Sequence, residues 1–278
     1  MKKIKVYKTI PDFLNENEAP LLEHELANNL ILGLCHETHL SQTEKQAYSF
    51  VTLWDDKRWI SSALKSNNRL FISGKTKEKE DLKFLAEHYK QLGSRISGVL
   101  GETFYAESFA SYYNKKVLSE KKLLAHQLSK INKITLSDGK FELAIEKDRD
   151  VLSEYLFQFQ EELGSLPKRS RDDLYQLSKT WIDKENLFVW KEKEEIMSMA
   201  AIVRRCTNLM MIGYVYTPEY NRGKGYASSC VEKLSEFILK SGYKHCGLFT
   251  EKTNITSNKI YKNIGYEVIS EFSEIEFS

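Results

Sequence analysis

The stretch that decides the fold covers residues 210–229 and reads MMIGYVYTPEYNRGKGYASS. Residues 210–216 are apolar and rich in aromatic and branched side chains, which predicts a buried strand. Residues 217–221 contain a proline and an asparagine and predict a turn. After a glycine-rich loop, apolar residues recur at three- and four-residue steps, which predicts a helix. These apolar residues are Ala227, Val231, Leu234 and Ile238.

The loop that opens this helix reads RGKGYA at residues 222–227. The first backbone amides of a helix have no partner within it, and the helix dipole is positive at that end. A pyrophosphate fits such a site, and glycines let the backbone approach it where a Cβ would collide. The loop lacks the spacing of a Walker loop and the third small residue of the dinucleotide fingerprint. The sequence therefore predicts a different kind of anion cradle.

A second motif lies further along the chain, at residues 254–266, and reads NITSNKIYKNIGY. It follows residues 245–250, which predict a short strand. Asn254 or Thr256 can cap a short helix that Gly265 ends, before a last strand.

The two motifs together resemble the GNAT superfamily of acyl-CoA-dependent N-acyltransferases. They are R-x-x-G-x-A at residues 222–227 and N-x-x-S-N-x-x-Y-x-x-x-G-Y at residues 254–266, in the expected order. The resemblance covers residues 140–278. It implies an α/β (α+β) fold with a mixed, mostly antiparallel, twisted sheet flanked by helices, and it makes residues 140–278 the catalytic domain.

The resemblance also implies a set of residues that bind acetyl-CoA. The strand backbone at Val215 and Tyr216 would bond the pantetheine arm, and Gly213 is either a kink that splays the strands or a gap-filling core glycine. Arg222 either touches the pyrophosphate or ties the turn to the surface, and Asn254 either contacts the coenzyme or only caps its helix. The other predicted coenzyme-binding residues are Gly223, Lys224, Gly225, Tyr226, Ala227, Ser228, Asn258 and Tyr261.

Tyr261 aligns with the tyrosine that the family uses as general acid to the coenzyme thiolate. A phenol with an ordinary pKa near 10 can donate a proton at neutral pH. The alternative is that Tyr261 only packs the short helix. Glu251 and Glu219 are the candidates for a general base, although their pattern favours solvated surface carboxylates.

Residues 1–132 predict a second α/β domain. The pattern predicts strands at 4–7, 48–54, 59–64, 69–73, 96–100 and 122–131, and helices at 17–32, 79–92 and 102–115. This order is that of a GNAT fold, which implies a tandem protein with a degenerate N-terminal copy; an unrelated α/β cap is the alternative. Residues 74–78, GKTKE, cannot form the phosphate cradle, so this half is not expected to hold acyl-CoA. A linker is predicted near residues 132–140.

In the second half, the pattern predicts strands at 141–145, 187–190 and 196–204 and helices at 148–163 and 171–184. These two helices, together with residues of the N-terminal half, would bind the acceptor, with residues 165–169 at the border of its pocket.

Composition excludes several classes of function. The net charge is +2 among 278 residues, without the basic stripe of a nucleic-acid-binding protein or a case for an anionic membrane partner. No apolar run reaches about twenty residues, so no transmembrane span is predicted. The four cysteines and six histidines lack ligand or paired spacing, which predicts neither metal nor disulfide. A cytoplasmic location is expected, and a homodimer is left open.

The sequence therefore predicts an acetyl-CoA-dependent N-acetyltransferase that acts on a small-molecule amine or a peptide. The alternative is a non-catalytic acyl-CoA-binding GNAT module that serves as sensor or scaffold. Tyr261 favours the enzyme, because a pure binder has no need of a phenol at that position.

Overall fold

The computed structural model describes residues 1–41, 48–164 and 168–278. By backbone contacts the chain divides into two compact units. The first contains Met1–His126, Phe249–Ile255 and Val268–Ser278, and the second contains Gln127–Leu248 and Thr256–Glu267. The units therefore interleave along the sequence. The domain boundaries at residues 132 and 140 stay a prediction.

The first unit is a sheet with helices. Its strands are β1 (Lys2–Tyr7), β2 (Tyr48–Asp55), β3 (Arg58–Ser66), β4 (Arg69–Gly74), β5 (Gly98–Glu102) and most of β12 (Glu267–Phe277). Its helices are α1 (Ile10–Leu22), α2 (Asn29–Ser41), α3 (Lys79–Gln91) and α4 (Thr103–Tyr113). The strand order is β1-β2-β3-β4-β5-β12, with β4 and β5 parallel and the other pairs for which a register is known antiparallel. Strand β6 (Val117–Leu128) begins in this unit and ends in the second.

One predicted helix of this unit was wrong. The pattern predicts a single helix at 17–32, whereas α1 ends at Leu22 and α2 begins at Asn29. The side-chain amides of Asn28 and Asn29 donate to the carbonyls of Leu21 and Leu26, at 2.7 and 2.6 Å. Bonds of this kind compete with helical backbone pairing, so the apolar periodicity continues across a break in the helix.

The second unit has the same kind of architecture. Its strands are β7 (Lys140–Leu143), β8 (Leu187–Glu192), β9 (Glu195–Arg205), β10 (Leu209–Tyr216) and the first part of β11 (His245–Glu251). Its helices are α5 (Arg149–Leu163), α6 (Arg171–Asp183), α7 (Tyr226–Lys240) and most of α8 (Ile255–Ile264). The strand order is β11-β10-β9-β8-β7, with β10 and β11 parallel and the other pairs antiparallel. The predicted fold class, a mixed and mostly antiparallel sheet flanked by helices, is confirmed.

Each face of this sheet has its own apolar core. On one face, residues of α7 and α8, such as Leu234 and Tyr261, pack with Met210 and Ile212 of β10. On the other face, residues of α5 and α6, such as Leu156 and Leu174, pack with Met199 of β9. Strand β10 is therefore covered on both faces, which is why its sequence is almost continuously apolar.

Candidate active site

The predicted anion cradle lies where α7 begins. Gly223 and Gly225 have φ values of 78° and 81°, in the left-handed region that L side chains rarely adopt. Gly225 is the N-cap of α7, and its carbonyl accepts the first helical bond, from Ser229 N at 3.0 Å. A glycine at this position has no side chain that could occupy the first-turn amides. The loop therefore leaves these amides to an external acceptor, as an anion site requires.

Arg222 holds this loop against helix α5. Its guanidinium donates to both carboxylate oxygens of Glu162 at 2.7 Å, and its Nε donates to the Thr217 carbonyl at 2.9 Å. Tyr216 donates its phenolic proton to the same carboxylate at 3.2 Å. These contacts join the loop to helix α5, as one of the two interpretations of Arg222 expects. Contact of Arg222 with a pyrophosphate stays a prediction.

A β-bulge interrupts strand β10 next to the cradle. Between Gly213 and Tyr216 the strand advances three residues while its partner β9 advances two, from Ala201 to Met199. The extra residue brings Tyr214 to a φ of 50°. A Cβ on Gly213 would lie 2.9 Å from Val203 Cγ1, so the strand approaches β9 closely there. Gly213 thus belongs to an irregular stretch of backbone.

The bulge changes the faces to which the side chains of β10 point. Ile212 and Val215 pack in the α7 core, whereas Tyr214 and Tyr216 pack in the α5–α6 core. The parallel pairing of β10 with β11 ends at Met211. Beyond that residue the backbone edge of β10 is available to a ligand that binds as an added strand would.

Tyr261 lies in the core of the second unit. It is 6% exposed and contacts Tyr266 edge to face, with ring centroids 5.8 Å apart. Burial, and next the neighbouring Cys230, raise the pKa of Tyr261. The phenol therefore carries its proton at neutral pH, although the raised pKa makes it a weaker acid than an exposed tyrosine. The position of its proton acceptor in a reaction stays a prediction.

The other predicted site residues fall into two groups. Asn258 and Tyr261 belong to the second unit, together with the cradle. Glu251 and Asn254 belong to the first unit, where Glu251 forms an ion pair with Lys121 at 3.4 Å. Asn254 is exposed and directly precedes α8. The roles predicted for these residues are untested by this arrangement.

Aromatic side chains line the α5–α6 face beside the bulge. The ring of Tyr214 lies 5.1 Å from that of Phe159 and 4.8 Å from that of Trp181. All three are half-buried. Of the predicted pocket border at residues 165–169, residues 165–167 lie outside the described part of the chain. Lys168 pairs with Glu161 at 2.6 Å.

The cysteine, histidine and acidic side chains of the described residues do not meet the requirements of a metal site. The four cysteines are buried and none of them forms a disulfide, and burial raises the pKa of Cys246 to about 12. Within residues 1–41, 48–164 and 168–278, no group of three or more histidine, cysteine or acidic side chains could hold a metal ion. No helix in these ranges is long and apolar enough to cross a membrane.

Comparison with known proteins gives the same fold. Residues 191–274 match the model of a family described as FR47-like protein. No curated protein matches the sequence. A GNAT-family acetyltransferase from Colwellia psychrerythraea is 14% identical, with a TM-score of 0.62 over 99% of this chain and 100% of that one.

Two further solved structures are alike over most of their length. A GCN5-related N-acetyltransferase from Sphaerobacter thermophilus is 10% identical, with a TM-score of 0.64 over 99% of this chain and 94% of that one. A tandem GNAT protein from the clavulanic acid biosynthesis pathway is 7% identical, with a TM-score of 0.61 over 98% of both chains. The chain therefore has the GNAT fold, as the resemblance of its two motifs implies. At identities this low, the likeness to solved structures shows the fold alone.

Two residues outside the sequence motifs hold the candidate site in place. Glu162 accepts hydrogen bonds from both Arg222 and Tyr216, yet it lies 60 residues away from Arg222 along the chain. Ser137, assigned to a linker, donates a hydrogen bond into the cradle. Neither residue belongs to a motif, so only the fold reveals them.

Proposed function

We propose that the chain is an N-acetyltransferase that moves the acetyl group of acetyl-CoA to a primary amine of a small molecule or peptide. The observation that carries the proposal is the cradle before α7, with Gly223 and Gly225 at positive φ and uncapped amides behind them. Such amides stabilise the charge of a diphosphate, and the GNAT fold supports the choice of an acyl-CoA. Acetyl-CoA supplies the acyl group already activated as a thioester.

The backbone of β10 fits the role of guide for the pantetheine arm. Pairing with β11 stops at Met211, and we expect Val215 and the Tyr216 N–H to offer backbone groups to the arm; the Tyr216 carbonyl already accepts a hydrogen bond from Ser198 Oγ at 3.0 Å. An extended amide-containing arm binds such an edge as a strand would. The bulge between Gly213 and Tyr216 lies in the same stretch of β10, which supports the choice of this stretch as the guide.

The acceptor amine is proposed to approach from the α5–α6 face. That face is opposite to α7, and it carries the half-buried rings of Phe159, Trp181 and Tyr214. Approach from the opposite face keeps the amine clear of the cradle and lets it reach the thioester carbon. Holding two reactants in this way accounts for much of the rate in acyl transfer.

Two protons must move when the C–N bond forms and the C–S bond breaks. Tyr261 is proposed to give its phenolic proton to the departing sulfur, and its raised pKa keeps that proton in place until then. The amine loses a proton to a base, for which Glu251 and Glu219 remain the candidates.

The burial of Tyr261 favours a second candidate function. A phenol that is 6% exposed and packed against Tyr266 is also what a purely structural residue would show. In that case the chain would be an acyl-CoA-binding module that acts as sensor or scaffold without turnover.

Thiol release from acetyl-CoA, measured with a panel of amines, distinguishes the two functions. The enzyme is expected to release thiol with at least one amine, and Tyr261→Phe should lower kcat roughly 10²–10⁴-fold, the usual range for a positioned acid. That loss equals about 3–5 kcal/mol of transition-state stabilisation. The KM for acetyl-CoA should not change, since the hydroxyl acts only in the transition state.

Tyr266→Phe is the matched control, because its phenol is equally buried but bonds Ser235 Oγ at 2.8 Å. It should keep the parent kcat. An unchanged kcat in Tyr261→Phe would remove the acid role. Coenzyme binding without thiol release for any amine would favour the binding module.

A further inference from the structure

The segment that joins the two predicted domains is fixed to the second unit at both ends. Asn132 N donates to the Ile264 carbonyl at 2.8 Å, and Trp190 Nε1 donates to the Asp138 carbonyl at 3.0 Å. Gly139, at φ 129°, lies so close to the indole that a Cβ would be 2.5 Å from Trp190 Nε1. We call residues 132–139 the strap.

Between these two anchors, Ser137 contacts the cradle. Its Oγ donates to the Lys224 carbonyl at 2.8 Å, and its backbone N–H donates to Ser229 Oγ at 2.8 Å. The two hydroxyl oxygens are 3.2 Å apart. Lys224 lies between the two glycines of the loop, and Ser229 lies in the first turn of α7. The strap therefore holds the loop on both sides of Gly225.

The bond to Lys224 sets the direction of an amide in the cradle. In a trans peptide the carbonyl and the following N–H point in opposite directions. Because the Lys224 carbonyl points to Ser137, the N–H of Gly225 points away from the strap. An anion that binds on the side of the loop away from the strap would therefore meet the N–H of Gly225.

A loop with two glycines needs such a restraint. Glycine has the largest conformational freedom of any residue, so an unrestrained loop would have to be ordered when it binds a ligand. Ordering at the moment of binding weakens affinity, and a restraint already present in the free protein avoids that loss. A Cβ on Gly225 would lie 2.9 Å from Ser137 Oγ, so the hydroxyl also fills the space behind this glycine.

We propose that Ser137 is a positioning residue of the coenzyme cradle, contributed by the strap rather than by either GNAT motif. It holds the Lys224–Gly225 peptide so that the loop amides face the diphosphate before the coenzyme arrives. The choice of coenzyme as ligand rests on the function proposed above; the restraint on the loop does not.

Coenzyme affinity in full-length variants tests the proposal. Ser137→Ala removes one hydrogen bond and should raise the Kd for CoA about three- to tenfold, with kcat unchanged. Ser137→Thr keeps the hydroxyl and should restore the parent Kd. Ser137→Asp cannot donate to Lys224 and adds a negative charge beside the anion. Its Kd should rise further than that of Ser137→Ala, and the excess should shrink at high salt.

Ser241→Ala is the matched control for these variants. Ser241 Oγ donates to the Ile238 carbonyl at 2.8 Å, at the opposite end of α7. This variant should keep the parent Kd. A Ser137→Ala variant that melts at a lower temperature but binds CoA like the parent would reduce Ser137 to a structural role and overturn the proposal.

Amide hydrogen exchange in the absence of ligand separates this proposal from the proposed function. Exchange at residues 223–228 should be faster in Ser137→Ala than in the parent and unchanged in Ser241→Ala. If the parent chain binds no CoA, the proposed function fails, and hydrogen exchange still decides whether the strap restrains the loop. Equal exchange in Ser137→Ala and the parent would overturn the proposal.

Discussion

Alanine substitutions at Gly223 and Gly225 should destabilise the chain by different amounts. Both glycines have φ near +80°, so each alanine forces a left-handed backbone on an L residue. That strain is about 1–2 kcal/mol. The two positions differ in their surroundings. A Cβ at Gly223 meets no atom within 4 Å, whereas one at Gly225 lies 2.9 Å from Ser137 Oγ.

The contact with Ser137 adds a second loss of stability, which affects Gly225→Ala alone. Ser137 Oγ must move away from a new Cβ, and this breaks its 2.8 Å bond to the Lys224 carbonyl. This hydrogen bond is exposed, and a typical intramolecular hydrogen bond contributes about 1 kcal/mol. We therefore expect Gly225→Ala to lower the free energy of unfolding by about 1 kcal/mol more than Gly223→Ala.

Equilibrium urea unfolding, read as the shift of the midpoint at constant slope, measures both losses. A double-mutant cycle isolates the contact: in a Ser137→Ala background the clashing oxygen is gone, so the extra loss at Gly225 should disappear. Equal losses at the two glycines, or an extra loss that persists without the Ser137 hydroxyl, would show that this reasoning is wrong.

Two further predictions concern titratable groups. Burial raises the pKa of Glu102 in the first unit, so its contribution to stability is present below the ordinary carboxyl pKa and is lost as pH rises through the raised value. Glu102→Gln should therefore raise the melting temperature at pH 7 more than at pH 4, and equal shifts at both values would contradict this. Burial, and next Glu162, raise the pKa of Tyr216 to about 12. In an NMR titration of the tyrosine ring carbons, Glu162→Gln should lower that pKa while leaving it above 10, and an unchanged value would assign the whole shift to burial.

The sequence predicts the helices of the second unit well, because their apolar periodicity is unbroken. Helix α6 is an example: it is predicted at 171–184 and found at Arg171–Asp183, where Ser170 Oγ accepts from Asp173 N at 3.1 Å and the Asp173 carboxylate accepts from Ser170 N at 3.1 Å. Helix α7 begins at Tyr226, at the end of the predicted glycine-rich loop, because Gly223 and Gly225 take a left-handed backbone.

Other features of the candidate site depend on contacts between distant residues. The bulge in β10 moves Tyr214 to the α5–α6 face, and strict alternation along a strand cannot predict one extra residue. The pairing of Arg222 with Glu162 joins a loop to a helix that is remote in sequence. Ser137 belongs to a segment whose composition indicates only a turn. In each case the partner is determined by tertiary packing rather than by the local pattern.

Calorimetric titration of the full chain with acetyl-CoA tests the central claim most directly. We expect one site per chain, located at the cradle, because residues 222–228 form the predicted anion site and residues 74–78 cannot. Gly225→Trp should abolish binding, because its side chain would displace Ser137 and distort the loop that forms the cradle. Gly242→Trp, beyond the other end of α7, is the matched control: its φ of +98° gives similar backbone strain, and no atom lies within 4 Å of the new Cβ. It should bind acetyl-CoA like the parent. Two equivalent sites per chain, or normal binding by Gly225→Trp, would contradict the account.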